Sequence, residues 1–167
     1  EIAVTASDSN GDTNSFNLKL SATGNYAYTD NVSITENYNS SNEGWVTASI
    51  GSSNTSGADT QSQALFIDHG DYVQKTFDVH AGEDVSISFD ADTQSGWEGD
   101  DTFSVYANGS LMYSKSNDFD GNVSFAVPAS LNNGQITIQI EVDTSRHVEE
   151  LSIDNFELSY TADVQET

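Results

Sequence analysis

Apolar and polar residues alternate along much of this 167-residue chain. The alternation is clearest at residues 16–20, 85–89, 103–106 and 136–140. A period of two puts one side of an extended segment against a core and the other side in water, so it predicts half-buried β-strands. Further strands are predicted at residues 2–6, 46–50, 64–67, 72–79, 123–127 and 151–160. About ten short strands without a helical period predict an all-β, antiparallel β-sandwich.

Turn residues separate the predicted strands. Asn108 and Gly109 lie between two apolar runs, and both residue types tolerate a positive φ, which predicts a type I′ hairpin. Pro128 follows a predicted strand, where its missing N–H removes no ladder hydrogen bond. Residues 51–63 are rich in Ser, Thr, Asn and Gly, and they predict a surface loop.

Composition divides the chain into three predicted segments. Residues 1–24 form two alternating runs around an acidic turn, which predicts an N-terminal hairpin that either ends a preceding repeat or joins the main sheets. Residues 25–162 are predicted to form one sandwich domain, since a chain of this length holds one sizeable core. Residues 163–167 are predicted to be a tail.

Acidic residues dominate the charge, because 27 Asp and Glu stand against four Lys and Arg, for a formal net charge of −23. Such a chain repels a phosphate backbone, so nucleic acid is excluded as a partner. The self-repulsion favours bound cations in the folded state, and solubility in a salty habitat is the alternative explanation. Many of these acids lie beside Gly and Asn in turn-like segments, which favours cation sites.

Two features that the sequence lacks, Cys residues and a long apolar run, bear on the location of the protein. The chain has no Cys, so an extracellular domain of this kind would use bound metal in place of disulfides. The chain also has no run of about 18 apolar residues and no signal-peptide pattern, which predicts no membrane insertion. We therefore expect a monomeric segment of a larger multidomain chain.

Loops rich in Asp, Asn and Gly offer the oxygen ligands that Ca²⁺ takes. Asp8, Asn10 and Asp12 are spaced two residues apart as in a calcium loop, although the distal Glu of an EF-hand is missing. Asp118 and Asp120 form a second compact oxygen cluster. Solvated turns are the alternative explanation at both places.

The loop at residues 96–101 is the candidate that we favour for ligand binding. Asp100 and Asp101 are adjacent carboxylates, which repel each other unless a cation lies beside them, and Glu98 is a third acid in this loop. A metal with an open coordination position there would accept a ligand carboxylate or vicinal hydroxyls. Trp97 would pack against the ligand.

A second loop is expected to contribute further ligands through Asp68 and Asp71. The alternative at both loops is an acidic surface that only keeps the protein soluble. Trp45 begins a predicted strand and is expected in the core instead.

The order of features from Asn37 onward resembles the jelly-roll carbohydrate-binding module superfamily. The resemblance rests on Asn37-Tyr38, Gly44-Trp45, Ala81-Gly82 and strands like those at residues 64–67, 73–77, 85–89 and 151–158. It implies a sandwich of jelly-roll type. It also implies that a calcium ion pins the first turn, through Glu36 or Glu43, to Asp154 in the last strand.

Residues 5–13 resemble the end of the extender repeats of giant bacterial RTX adhesins. Together with the jelly roll and the acidity, they resemble the calcium-dependent peptide-binding domain near the C-terminus of such adhesins. This resemblance implies an extracellular domain on the bacterial cell surface that mediates cell adhesion in biofilms and holds several Ca²⁺ ions. Its ligand would be a short peptide or protein C-terminus on a host or neighbouring cell. A calcium-dependent carbohydrate-binding module, with glycans as ligands, is the alternative.

Catalysis has little support in the sequence. No Gly-x-Ser-x-Gly elbow occurs, and His69, His80 and His147 have no evident nucleophile partner or metal-ligand spacing. Paired carboxylates would hydrolyse a glycoside only within a deep cleft. We expect a binding domain and not an enzyme.

Overall fold

The computed structural model describes residues 2–7, 13–18, 26–38, 43–49, 59–61, 64–94, 96–146 and 148–166. These residues form the strands β1 (Ile2–Ser7), β2 (Thr13–Leu18), β3 (Tyr26–Glu36), β4 (Val46–Ser49), β5 (Asp59–Gln61), β6 (Ala64–Ile67), β7 (Asp71–Asp78), β8 (Val85–Gln94), β9 (Thr102–Ala107), β10 (Ser110–Ser116), β11 (Asp120–Val127), β12 (Gln135–Asp143) and β13 (Glu150–Glu166). A short 3₁₀ helix, Ala129–Leu131, follows β11. No helix in the described ranges has the length and apolarity needed to span a membrane.

Two antiparallel sheets make up the molecule. The larger sheet has the order β1-β2-β3-β13-β6-β5, and β8 also pairs with β13 and carries β11 on its other side. The smaller sheet has the order β10-β9-β12-β7-β4. The two sheets enclose one core, which confirms the predicted all-β, antiparallel sandwich.

The core consists of the inward side chains of the alternating strands. Burial alternates strictly along β8 and β12, as the period-two pattern predicts. Phe156 of β13 stacks on Phe77 of β7 at 5.4 Å between ring centroids. Trp45 lies edge-on to Phe156 at 5.3 Å, so its predicted place in the core is confirmed.

Several local predictions are also confirmed. Asn108 and Gly109 join β9 to β10 with φ angles of 48° and 78°, as a type I′ turn requires. Pro128 directly follows β11. Two strands differ from the prediction, because β3 was not predicted and β5 lies inside the predicted surface loop.

The N-terminal hairpin joins the larger sheet. β1 pairs with β2, and β2 pairs with β3 at Asn14 and Ser15. At the other end of the chain β13 continues through Glu166, so most of the segment predicted as a tail, 163–167, is strand. Asp8, Asn10 and Asp12, the first predicted calcium loop, lie outside the described residues.

Candidate functional site

Two predicted ligand-binding loops, at residues 68–71 and 96–101, lie at the same end of the sandwich. The N–H of Gly70 donates to the carbonyl of Val142 at 3.1 Å, which holds the first loop against the end of β12. The N–H of Ser145, just beyond β12, donates to Asp101 in the second loop. We call this region the loop end, and the structure brings together the loops that the sequence analysis combined.

Asp101 organises the loop end from within. Its carboxylate is 1% exposed and accepts two backbone N–H groups, from Ser145 at 2.8 Å and from Glu98 at 2.6 Å. Both oxygens are therefore already used to fix the loops. Asp100 is exposed. The metal-binding and ligand-binding roles predicted for this pair stay predictions.

Trp97 packs inward. Its side chain is 6% exposed, its indole N–H donates to the carbonyl of Glu150 at 3.1 Å, and its ring meets Phe103 edge-on. Glu98 forms an exposed ion pair with Arg146 at 3.1 Å. The predicted ligand contact of Trp97 stays a prediction, and in this conformation its ring anchors the loop to the core.

Two further carboxylates are buried at the loop end. Asp71 is 2% exposed, and neither of its oxygens has a hydrogen-bond partner among the described residues. Glu149 is fully buried, and its Oε2 accepts the backbone N–H of Arg146 at 2.8 Å, whereas its Oε1 has no such partner in the described part of the chain. The sequence analysis missed Glu149, because nothing local shows that this acid is buried.

Glu36 and Glu43 of the first turn and Asp154 of the last strand, for which the family resemblance implies a shared calcium ion, lie near one another in the structure. The pKa of Tyr38 is raised well above its ordinary value by burial and by the nearby charges of Glu36, Glu43 and Asp154. A lysine already lies among these acids, because the ammonium of Lys75 donates to Glu36 and to the carbonyl of Glu43.

The other Glu36 oxygen accepts the indole N–H of Trp45 at 2.5 Å. The Glu36 carboxylate is therefore fully engaged by internal donors. The residues at this position do not fit a calcium ion that uses Glu36, since Lys75 supplies the positive charge.

Asp118 and Asp120, the second predicted oxygen cluster, lie in different elements of the structure. Asp118 accepts the hydroxyl of Thr93 at 2.9 Å, which supports the turn before β11. Asp120 instead belongs to β11 and lies opposite Asp92 of β8. Across the described ranges no group of three or more His, Cys, Asp or Glu side chains is arranged to hold a metal ion.

The outward side of the larger sheet carries a continuous polar surface that the sequence analysis did not identify. Strand register places its residues in four rows across β11, β8 and β13, namely Asp120-Asp92-Ser152, Asn122-Asp90-Asp154, Ser124-Ser88-Glu157 and Ala126-Ser86-Ser159. A neighbouring strand, β3, continues the last row with Ser33. We call this surface the outer face.

Amide side chains support the acids of the outer face. Asn155 and Asn122 donate to Asp90 at 2.9 and 3.1 Å, and these hydrogen bonds lower the pKa of Asp90. Asn155 has a φ of 51° within an irregularity of β13, which turns its amide toward Asp90. Like charges directly opposite each other destabilise a sheet, so these amides offset the Asp90–Asp154 repulsion.

Two grooves run along the outer face. The larger has a volume of about 550 Å³ and is lined mainly by polar residues, Asn31, Ser33, Glu83, Asp84, Ser86, Ser159 and Thr161, together with Val32 and Tyr160, whose ring packs against the core. The smaller, of about 260 Å³, is lined by Asp90, Ala91, Asp92, Asp120, Gly121, Asn122, Ser152 and Asp154. The outer face thus presents many oxygen acceptors and hydroxyl groups along an extended path.

Comparisons with known proteins identify the fold. The structure of Xylanase10C of Cellvibrio japonicus in complex with xylopentaose is similar to this chain, with 11% identity and a TM-score of 0.52. The match covers 70% of this chain. A CBM4 structure is also similar, with 12% identity and a TM-score of 0.51. This match covers 70% of this chain and 86% of the CBM4 chain. The fold is a jelly roll.

A third structure is the carbohydrate-binding module CBM36 in complex with calcium and xylotriose. It has 11% identity and a TM-score of 0.42, and the match covers 69% of this chain and 98% of CBM36. The chain spans only 27% of the xylanase, whereas it spans most of the CBM4 structure. No protein-family model and no curated protein matches the sequence.

Proposed function

We propose that this domain is a carbohydrate-binding module that holds an extended glycan on the outer face. The observation that carries the proposal is the pair of polar grooves on one sheet of a sandwich that shares its fold with a carbohydrate-binding module. An open groove along a sheet surface fits an extended chain of sugars better than a closed pocket does.

The chemistry of the outer face suits sugar hydroxyls. Carboxylates accept hydrogen bonds strongly, and each has two oxygens, so Asp92 and Asp154 would each receive hydroxyls from a sugar ring. Ser and Asn side chains both donate and accept. The ring of Tyr160 packs against the core, since Tyr160 lies opposite the buried Val85. The hydroxyls of Ser86 and Ser159 would therefore supply contacts in the larger groove.

Charge restricts the ligand class. The residues that line the two grooves include six acids and no Lys or Arg, namely Glu83, Asp84, Asp90, Asp92, Asp120 and Asp154. Like charges across a binding surface suppress wrong partners. We therefore infer that the ligand is a neutral glycan and that sulfated or uronic acid polymers are rejected.

The peptide-binding hypothesis from the adhesin resemblance stays a prediction. Its ligand would be a peptide with a free C-terminal carboxylate, which requires a cation at the binding site to offset the acids of the chain. An extracellular location on a bacterial surface and a role in adhesion are part of both hypotheses. We also propose that the domain is not catalytic.

Binding to a panel of polysaccharides tests the proposal. We expect affinity electrophoresis to show retardation in gels that contain a neutral polymer such as xylan, mannan or galactan, and none with alginate. Soluble oligosaccharides of the retained polymer should compete. Retardation by none of the neutral polymers, together with binding of a free-carboxylate peptide in calcium, would favour the peptide hypothesis. Release of reducing ends from the bound polymer would contradict a purely binding role.

A further inference from the structure

Asp71 is the most unusual buried group in the described part of the chain. It is the first residue of β7, and it alternates with Val73, whose side chain lies in the core, so the carboxylate of Asp71 points between the sheets. Both of its carboxylate oxygens are buried from solvent and have no hydrogen-bond partner among the described residues. Burial of an ionised carboxylate without a partner is strongly unfavourable, which calls for a compensating cation or a bound proton.

Glu149 gives a second, independent observation at the same end. Its Oε2 is held by the backbone N–H of Arg146, while its fully buried Oε1 has no partner in the described ranges. Glu149 precedes β13, and Leu151 of β13 pairs with Ile67, the last residue of β6. β6 leads through a short turn into Asp71, so the two buried acids approach this end from different sheets.

The Lys and Arg side chains of the described residues are engaged elsewhere. Lys75 pairs with Glu36, and the guanidinium of Arg146 pairs with Glu98 and not with Glu149. Lys115 lies over the ring of Phe119. No ion pair within the described ranges therefore compensates Asp71 or the free oxygen of Glu149.

We propose that one calcium ion binds inside the loop end, with Asp71 and Glu149 Oε1 as its carboxylate ligands. Oxygen ligands select a hard cation. Two carboxylates do not fill the coordination shell, so backbone carbonyls of the neighbouring turns and water would complete it, in an irregular geometry that Ca²⁺ accepts and Mg²⁺ does not. The site differs from the predicted one at Asp100 and Asp101, whose buried member already binds two backbone N–H groups.

Calcium and terbium titrations of the chain stripped with EDTA test this site, independently of any glycan. Trp97 donates its indole N–H to Glu150, the neighbour of Glu149, so excitation of Trp97 should sensitise the luminescence of a Tb³⁺ ion bound in place of Ca²⁺. Calcium should then quench this luminescence by displacement, and it should raise the melting temperature of the chain.

Two isosteric variants and one matched control complete the test. We expect Asp71→Asn and Glu149→Gln each to weaken the terbium-reported site by at least about tenfold, the loss that even an outer-shell partner causes. Asp78→Asn removes the same charge from the other end of β7, where the side chain is exposed, and should leave the affinity unchanged.

If Asp71→Asn fails to fold, Glu149→Gln alone carries the comparison. Wild-type affinity in both folded variants would overturn the proposal and would mean that Asp71 is buried as a neutral acid. A loss of affinity equal to that in Asp78→Asn would overturn it as well, since bulk charge would then explain the effect.

Discussion

Lys75 donates its ammonium group to the buried carboxylate of Glu36 and so ties β7 to the end of β3. Glu36 lies opposite Phe156 in the register of β3 and β13, and its other oxygen accepts the indole N–H of Trp45. One side chain thus joins both sheets and the first turn. The chain has only four Lys and Arg residues, and Lys75 lies where the family resemblance implies a metal ion.

Replacement of Lys75 by Met should destabilise the fold. The variant removes the ammonium partner of the buried Glu36 carboxylate, and breaking a buried ion pair in this way costs about 3–5 kcal/mol. Urea denaturation measures the difference. Lys115→Met, which removes an exposed lysine over Phe119, should change the stability by less than about 0.5 kcal/mol. Equal stability of the two variants would show that Glu36 needs no internal cation.

Asp101→Ala should destabilise the loop end, whereas Asp100→Ala should not. The first change removes two hydrogen bonds to a buried carboxylate and leaves the N–H groups of Glu98 and Ser145 without that acceptor. We expect a loss of roughly 3–6 kcal/mol, because each of the two bonds to a charged group contributes about 1.5–3 kcal/mol. Thermal unfolding of both variants in EDTA separates this effect from metal binding. A neutral Asp101→Ala would contradict the structural role.

Asp90 should titrate below the ordinary range of an Asp. Hydrogen bonds from Asn155 and Asn122 stabilise its charged form, so its pKa is lower in the folded state than in the unfolded chain. Its contribution to stability is therefore complete above the unfolded pKa and is lost as the pH falls through the folded pKa. Carbon-detected NMR titration measures the shift. Asn155→Gly keeps the positive φ without strain and should raise the pKa of Asp90, and an unchanged titration would contradict this cause.

Asp92→Ala should weaken glycan binding if the smaller groove holds the ligand. A hydrogen bond to a charged group contributes about 1.5–3 kcal/mol, so we expect the loss of at least about 1.5 kcal/mol of binding free energy. Titration calorimetry with the preferred oligosaccharide measures the change, and circular dichroism checks the fold. Asp78→Ala is the matched control, because it removes the same charge from an exposed position on β7 of the smaller sheet. The same affinity in both variants would place the ligand outside this groove.

Local patterns predict much of the sandwich because strands such as β8 and β12 show their own alternation. β8 and β12 were predicted in this way, and the Asn108-Gly109 hairpin follows from the residue types alone. β3 escaped prediction because Asp30 interrupts the apolar positions that run from Tyr26 to Ile34.

The candidate site is harder to predict, since it depends on register between distant segments. Asp90, Asp120 and Asp154 come from three strands, and only the pairing of β8 with β11 and β13 places them on one surface. The burial of Glu149 is also invisible locally, because no residue pattern around this acid marks it as buried.

NMR mapping of the bound oligosaccharide tests most directly whether a neutral glycan binds to the outer face. Amide shifts of a ¹⁵N-labelled chain, titrated with the oligosaccharide that the polysaccharide panel selects, locate the contact. We predict that the largest shifts fall on the outer face, at Ser86, Asp90 and Asn122. Shifts confined to the loop end, at Asp68, Trp97 and Asp100, would contradict the account.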